Sequence, residues 1–91
     1  MGVKVRIPTQ LRPLAGNASE VTVEATTVAE ALAALEAAHP GFTERLYDEQ
    51  GGLRRFVNVF VAEEDIRFLS GVDTAVADGQ TISIVPAVAG G

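Results

Sequence analysis

Chemistry in this sequence is concentrated in its last six residues, Pro86-Ala87-Val88-Ala89-Gly90-Gly91. The side chains there are small, and the group able to react is the carboxylate of Gly91. With no Cβ, Gly90 and Gly91 can lie extended in a channel too narrow for any side chain, and can take φ values that other residues avoid. A carboxylate presented in this way is open to adenylation by an ATP-dependent enzyme, which would make a mixed anhydride. Attack on that anhydride by a sulfur nucleophile leaves a thiocarboxylate, a stable but nucleophilic sulfur donor.

No side chain competes for that role. The sequence contains no cysteine, so a disulfide framework, a thiolate zinc site and a cysteine nucleophile are all excluded, and any sulfur handled here cannot ride on a side chain. His39, the single histidine, precedes Pro40 at the end of a helical pattern, where interaction with the helix dipole accounts for it. It lacks the partner that general-base chemistry needs. Glu63-Glu64-Asp65 reads as a solvated acidic turn, because adjacent residues do not converge on one ion. Gly51-Gly52 lacks the lysine and the following Ser or Thr of a phosphate-cradling loop. The expectation is a protein with no catalytic residue, no metal and no bound cofactor.

Ninety-one residues suffice for one domain, which at this size buries roughly 60–65% of the surface of its unfolded chain. The hydrophobic share of 47% is ordinary, and no apolar run approaches the ~20 residues of a membrane span. Met1-Gly2-Val3-Lys4-Val5 passes straight into an alternating pattern, unlike a signal peptide, and Arg6 stands where a myristoylation motif wants Ser or Thr. A cytoplasmic location is expected. Twelve acidic residues against seven basic ones give a net charge of −5, which repels nucleic acid and anionic lipid and favours a partner with a basic docking face.

The elements that must hold the terminus follow from periodicity. Val3, Val5 and Ile7 alternate with Lys4 and Arg6, the pattern of a half-buried strand. After Pro8 and a turn at Ala15-Gly16-Asn17, alternation resumes with Val21, Val23 and Ala25 against Thr22 and Glu24, completing a wide hairpin. Thr27-Val28-Ala29-Glu30 is a capping box, with Glu30 expected to reach back to the Thr27 N–H. The helix it opens carries Val28, Ala31, Leu32, Leu35 and Ala38 on one stripe, with Glu30 and Glu36 pointing away, and stops at His39-Pro40-Gly41. Phe42 to Tyr47 forms a short helical turn with Phe42 and Leu46 inward.

Phe56-Val57-Asn58-Val59-Phe60-Val61 is the most regular strand. Its valines are placed inward, because Asn58 on the core side would need buried hydrogen-bond partners. Phe56 and Phe60 then form an exposed patch beside Asn58, suited to docking, with Arg55 and Arg67 at its flanks to meet acidic residues of a partner. The bland alternative is that one or both phenylalanines pack beneath the tail or a loop. Ile66-Arg67-Phe68 reads as a short strand. Asp78-Gly79 is a turn feeding a final strand, Thr81 to Val85, with Ile82 and Ile84 inward.

A hairpin, a helix and further strands, the last carrying the terminus, allow the first and last strands to pair at the centre of a mixed sheet packed on one main helix. This is an α+β fold with the β-grasp, or ubiquitin-like, layout. The division expected is a single β-grasp domain over residues 1–86 and a flexible Gly-Gly tail over 87–91.

A β-grasp of this length ending in Gly-Gly resembles the prokaryotic ubiquitin-like sulfur carriers of the MoaD/ThiS family, and within it the branch serving cysteine formation. The likeness rests on Ile7-Pro8-Thr9 with Leu11-Arg12-Pro13, Glu44-Arg45-Leu46, Arg55-Phe56-Val57-Asn58, Glu64-Asp65-Ile66-Arg67-Phe68 and the final hexapeptide. It implies that Gly91 is adenylated and converted to a thiocarboxylate, with Ala87, Val88, Ala89 and Gly90 inserted into partner active sites. The implied partners are an ATP-dependent adenylating enzyme with a sulfurtransferase, a PLP-dependent cysteine synthase or another sulfur-incorporating synthase, and a zinc-dependent peptidase. ATP, PLP and zinc would belong to those enzymes. Two other classes stay open: a protein modifier joined through Gly91 to lysines, and a noncovalent β-grasp adaptor.

Overall fold

The computed structural model describes residues 2–54 and 57–86. Arg55, Phe56 and the tail from Ala87 to Gly91 lie outside the described residues, and with them the sequence expectations placed on them. In chain order the elements are β1 (Val3–Arg6), β2 (Glu20–Val23), α1 (Val28–Ala38), α2 (Phe42–Leu46), β3 (Val57–Val61), β4 (Glu64–Asp65) and β5 (Thr81–Pro86). Three 3-10 turns, Thr9–Ala15, Ile66–Phe68 and Gly71–Asp73, fill connections. The sheet runs β2-β1-β5-β3-β4. β1 and β5 are parallel neighbours at its centre, and β5 is antiparallel to β3 on its other side.

Alternation in the sequence becomes a two-faced sheet. Val3 and Val5 of β1 with Ile7 just after it, Val57, Val59 and Val61 of β3, and Ile82 and Ile84 of β5 are buried in one core, sealed by Val28, Ala31, Leu32 and Leu35 of α1 and by Phe42 and Leu46 of α2. At about 25 cal/mol per Å² of apolar area removed from water, this interior is the main source of stability.

Local signals close the helices. Thr27 is extended, and its Oγ1 accepts from the Glu30 N–H at 3.2 Å, one arm of the capping box. The other arm differs from expectation: Glu30 Oε1 accepts from the Thr26 N–H at 2.9 Å and the Thr26 hydroxyl at 2.8 Å. Those two donors hold the Glu30 carboxyl below its ordinary range. Glu36 does not simply face solvent. Its Oε1 accepts from the Thr43 N–H at 2.8 Å and its carboxylate from the Gly41 N–H at 3.2 Å, capping α2 from the end of α1 and lowering its own pKa. Gly41 makes this approach possible with φ 115°, a value that L side chains resist. Ala38, placed on the buried stripe from sequence, is exposed; α1 ends there, and the core beyond Leu35 is filled by Phe42 and Leu46.

Two further elements differ from the sequence reading. Ile66–Phe68 is a 3-10 turn, capped by Asp65, whose Oδ1 accepts from the Arg67 N–H at 2.9 Å. In a strand Ile66 and Phe68 would share a face, whereas two steps of a 3-10 turn separate them by about 240°. Accordingly Ile66 is buried and Phe68 is 86% exposed. The acidic segment before it is a tight hairpin between β3 and β4, with Ala62 and Glu63 at φ 50° and 75°.

Candidate functional site

The site is built on β5, because this strand delivers the chain to its tail. β5 is clamped on both sides. Lys4, Val5 and Arg6 of β1 stand opposite Thr81, Ile82 and Ser83, while Val57 through Val61 of β3 stand opposite Pro86 back to Ile82. Pro86 has no N–H to give, so the ladder lacks a donor at the last described position, and pairing is weakened where the tail starts. The strand is anchored up to Ile84 for a physical reason: Ile82 and Ile84 are buried in the core, whereas Pro86 is only half-buried.

The outward residues of these strands form the open face. Asn58 is half-buried there, next to Val85, which is 44% exposed. Arg67 reaches across from the 3-10 turn, donating through Nη1 to Asn58 Oδ1 at 2.9 Å and through Nη2 to the Val57 carbonyl at 3.0 Å. A guanidinium only donates, so this bond fixes which way the Asn58 amide points. Because Val57 is opposite Pro86, the Arg67 fork braces β3 where β5 hands over to the tail.

The structure thus brings together three of the residues named from sequence as docking positions, Asn58, Phe60 and Arg67. The valines of β3 point inward, as placed. Phe60 is half-buried rather than fully exposed, abreast of Ser83 on β5 and Asp65 on β4. Arg67 is a brace as well as a surface cation. Phe56, Arg55 and the tail residues Ala87, Val88, Ala89, Gly90 and Gly91 are outside the described residues. His39 caps α1 through its backbone N–H to the Leu35 carbonyl at 2.8 Å. No helix among the described residues is long and apolar enough to cross a membrane.

Comparison with known proteins assigns this arrangement. The ThiS family model matches residues 5–91, nearly the whole chain and through to its last glycine. The chain belongs to the ThiS family. This ThiS-family chain is 47% identical to the sulfur carrier protein CysO of Mycobacterium tuberculosis, covering 100% of each chain. It superposes on a chain of the crystal structure of the Amycolatopsis orientalis BexX/CysO complex with TM-score 0.91 and 45% identity, covering 98% of this chain and 99% of that one. It also matches crystalline small archaeal modifier protein 1 from Haloferax volcanii, with TM-score 0.83 and 29% identity over 100% of both chains. The mixed five-stranded sheet on a helix is therefore the ubiquitin-like β-grasp of this family. Sulfur carriage by a small protein substrate, rather than catalysis, is the role that membership gives the chain.

Proposed function

We propose that the Gly91 carboxylate is the group that carries sulfur. An adenylating enzyme joins it to the α-phosphorus of ATP, releasing pyrophosphate. A hydrosulfide equivalent from a sulfurtransferase then attacks the acyl carbon, AMP leaves with the C–O bond electrons, and a thiocarboxylate remains. Ala87, Val88, Ala89 and Gly90 are the segment threaded into the active sites of the partners, and the face carrying Asn58, Phe60 and Arg67, continued by Arg55 and Phe56, is where they dock. The sulfur is passed to an acceptor such as a PLP-dependent cysteine synthase or another sulfur-incorporating synthase. In the cysteine case a zinc-dependent peptidase frees the product. ATP, PLP and zinc stay with those enzymes.

The observation that carries this reading is the full-length match to sulfur carriers of the CysO type, extending through Gly91. It is supported by a fold that braces β5 up to Pro86, the residue from which the tail departs. A second reading, a modifier joined through Gly91 to lysines, is favoured by the likeness to small archaeal modifier protein 1. Intact-mass analysis separates them. With ATP, sulfide, the adenylating enzyme and its sulfurtransferase, the chain is expected to gain one sulfur in place of one oxygen, and the Gly91-deleted chain to gain nothing at an unchanged Tm. No gain in the full chain would overturn the reading, and thiol-resistant conjugates of higher mass in native lysate would favour the modifier.

A further inference from the structure

The net charge of −5 hides a local reversal of sign. Beside β5 on the open face lies a groove of about 700 Å³ whose walls include Lys4, Arg6, Arg12, Glu20, Ser83 and Pro86. Three cations face one carboxylate there, in a chain where acidic residues outnumber basic ones twelve to seven. Arg12 is occupied structurally, its Nε donating to the Ile7 carbonyl at 3.2 Å. Lys4 and Arg6 are exposed, and neither makes a side-chain hydrogen bond or ion pair among the described residues. Their register is fixed by the same alternation that buries Val3 and Val5, so both charges must project from the open face beside Thr81 and Ser83.

Resting on the carrier reading above, we infer that this groove docks a carboxylate-bearing segment of the activating enzyme, with Lys4 and Arg6 as the charges that receive it. Two cations set on a strand with no side-chain partner among the described residues, above a polar floor and ending at Pro86, are complementary to a row of Asp or Glu side chains. The sign is the reverse of what the net charge alone favours. These cations act in docking and not in chemistry. The five residues after Pro86 span at most roughly 17 Å when extended, and a tail threaded away from the sheet carries its carboxylate far from Arg6.

The test is ATP–pyrophosphate exchange by the activating enzyme with the full-length chain as the varied substrate. Lys4→Gln/Arg6→Gln is expected to raise KM about five- to tenfold, the effect of two exposed charge pairs, with kcat nearly unchanged. Ala33→Glu/Ala37→Glu, on the exposed far side of α1, changes net charge by the same −2 and is expected to leave KM within about twofold, since distant surface charges are screened. The difference between the two variants should vanish near 1 M salt, where the Debye length is about 3 Å. Equal KM values for the two variants overturn the inference. So does a lower KM for the glutamine pair, which would mean that the groove holds the chain's own Gly91 carboxylate. The Gly91-deleted chain run in parallel separates the levels: exchange without Gly91 sinks the carrier reading, whereas exchange that needs Gly91 but ignores Lys4 and Arg6 sinks only this one. Arg6→Lys with Lys4→Arg, which keeps both charges, is expected to restore KM, and failure to do so also counts against the charge argument.

Discussion

The two faces of the sheet are made by the same strands and serve opposite ends. On the inner side Val5, Val59, Ile82 and Ile84 are sealed against α1; on the outer side, one residue along in each case, stand Arg6, Phe60, Ser83 and Val85. The inner set fixes the backbone, and through it the position of every outer side chain. Core packing and surface chemistry are therefore separable by single residues, because neighbours along a strand differ in what they touch.

The largest effect that bears on this separation is expected at Phe42, which is completely buried. Phe42→Ala should cost about 3–5 kcal/mol, a large part of the total for a domain of this size, and lower Tm by roughly 15 °C or more. Thermal unfolding measures the loss, and activation assayed well below the new Tm should be normal. Impaired activation of the still-folded variant would break the comparison. Next comes Phe60→Glu on the outer face. It should leave Tm within a few degrees while raising KM for activation at least about fivefold, the scale of a docking hot spot; unchanged kinetics would remove Phe60 from the interface. The smallest effect is expected at Glu36. Its folded-state pKa lies below the unfolded value, so its stabilising contribution is fully present above the unfolded pKa near 4.5 and is lost as pH falls through the folded one. Glu36→Gln should flatten that part of the acid limb of a stability-versus-pH profile and leave activation untouched. An acid limb identical to that of the parent chain would show that the cap between the helices contributes nothing.

Much of this was legible in the sequence because strong periodicity leaves few choices. The alternation of Val3, Val5 and Ile7, the stripe from Val28 to Leu35 and the inward valines of β3 each fix a face, and a first and last strand at the sheet centre follow from their order. What escaped the sequence depended on geometry without a compositional signature. The β3–β4 hairpin turns through Ala62 and Glu63 at positive φ, where asparagine or glycine would have announced it. Ile66 and Phe68 fit a strand by spacing, and only the Asp65 cap and the 3-10 backbone part them. Glu36 has the outward position of any solvated glutamate until α2 folds back and brings two N–H groups to it. At the site, the facing of one strand put Asn58 and Phe60 on the outer face, and Arg67 was placed at their flank. The pairing of Arg67 with Asn58 needed the turn after β4 to come back onto β3, and the groove at Lys4 and Arg6 needed β5 to be set beside β1.

The order of the strands also bears on when the protein becomes usable. The strand at the middle of the sheet is the one synthesised last, and until residues 81–86 exist β1 and β3 have no partner between them. Closing the sheet requires pairing of β1 with β5 across the long stretch of sequence between them, which is slow because loop entropy must be given up first. Until β5 is in place the chain has neither the assembled outer face nor a held exit strand, so both are presented only once the sheet has closed.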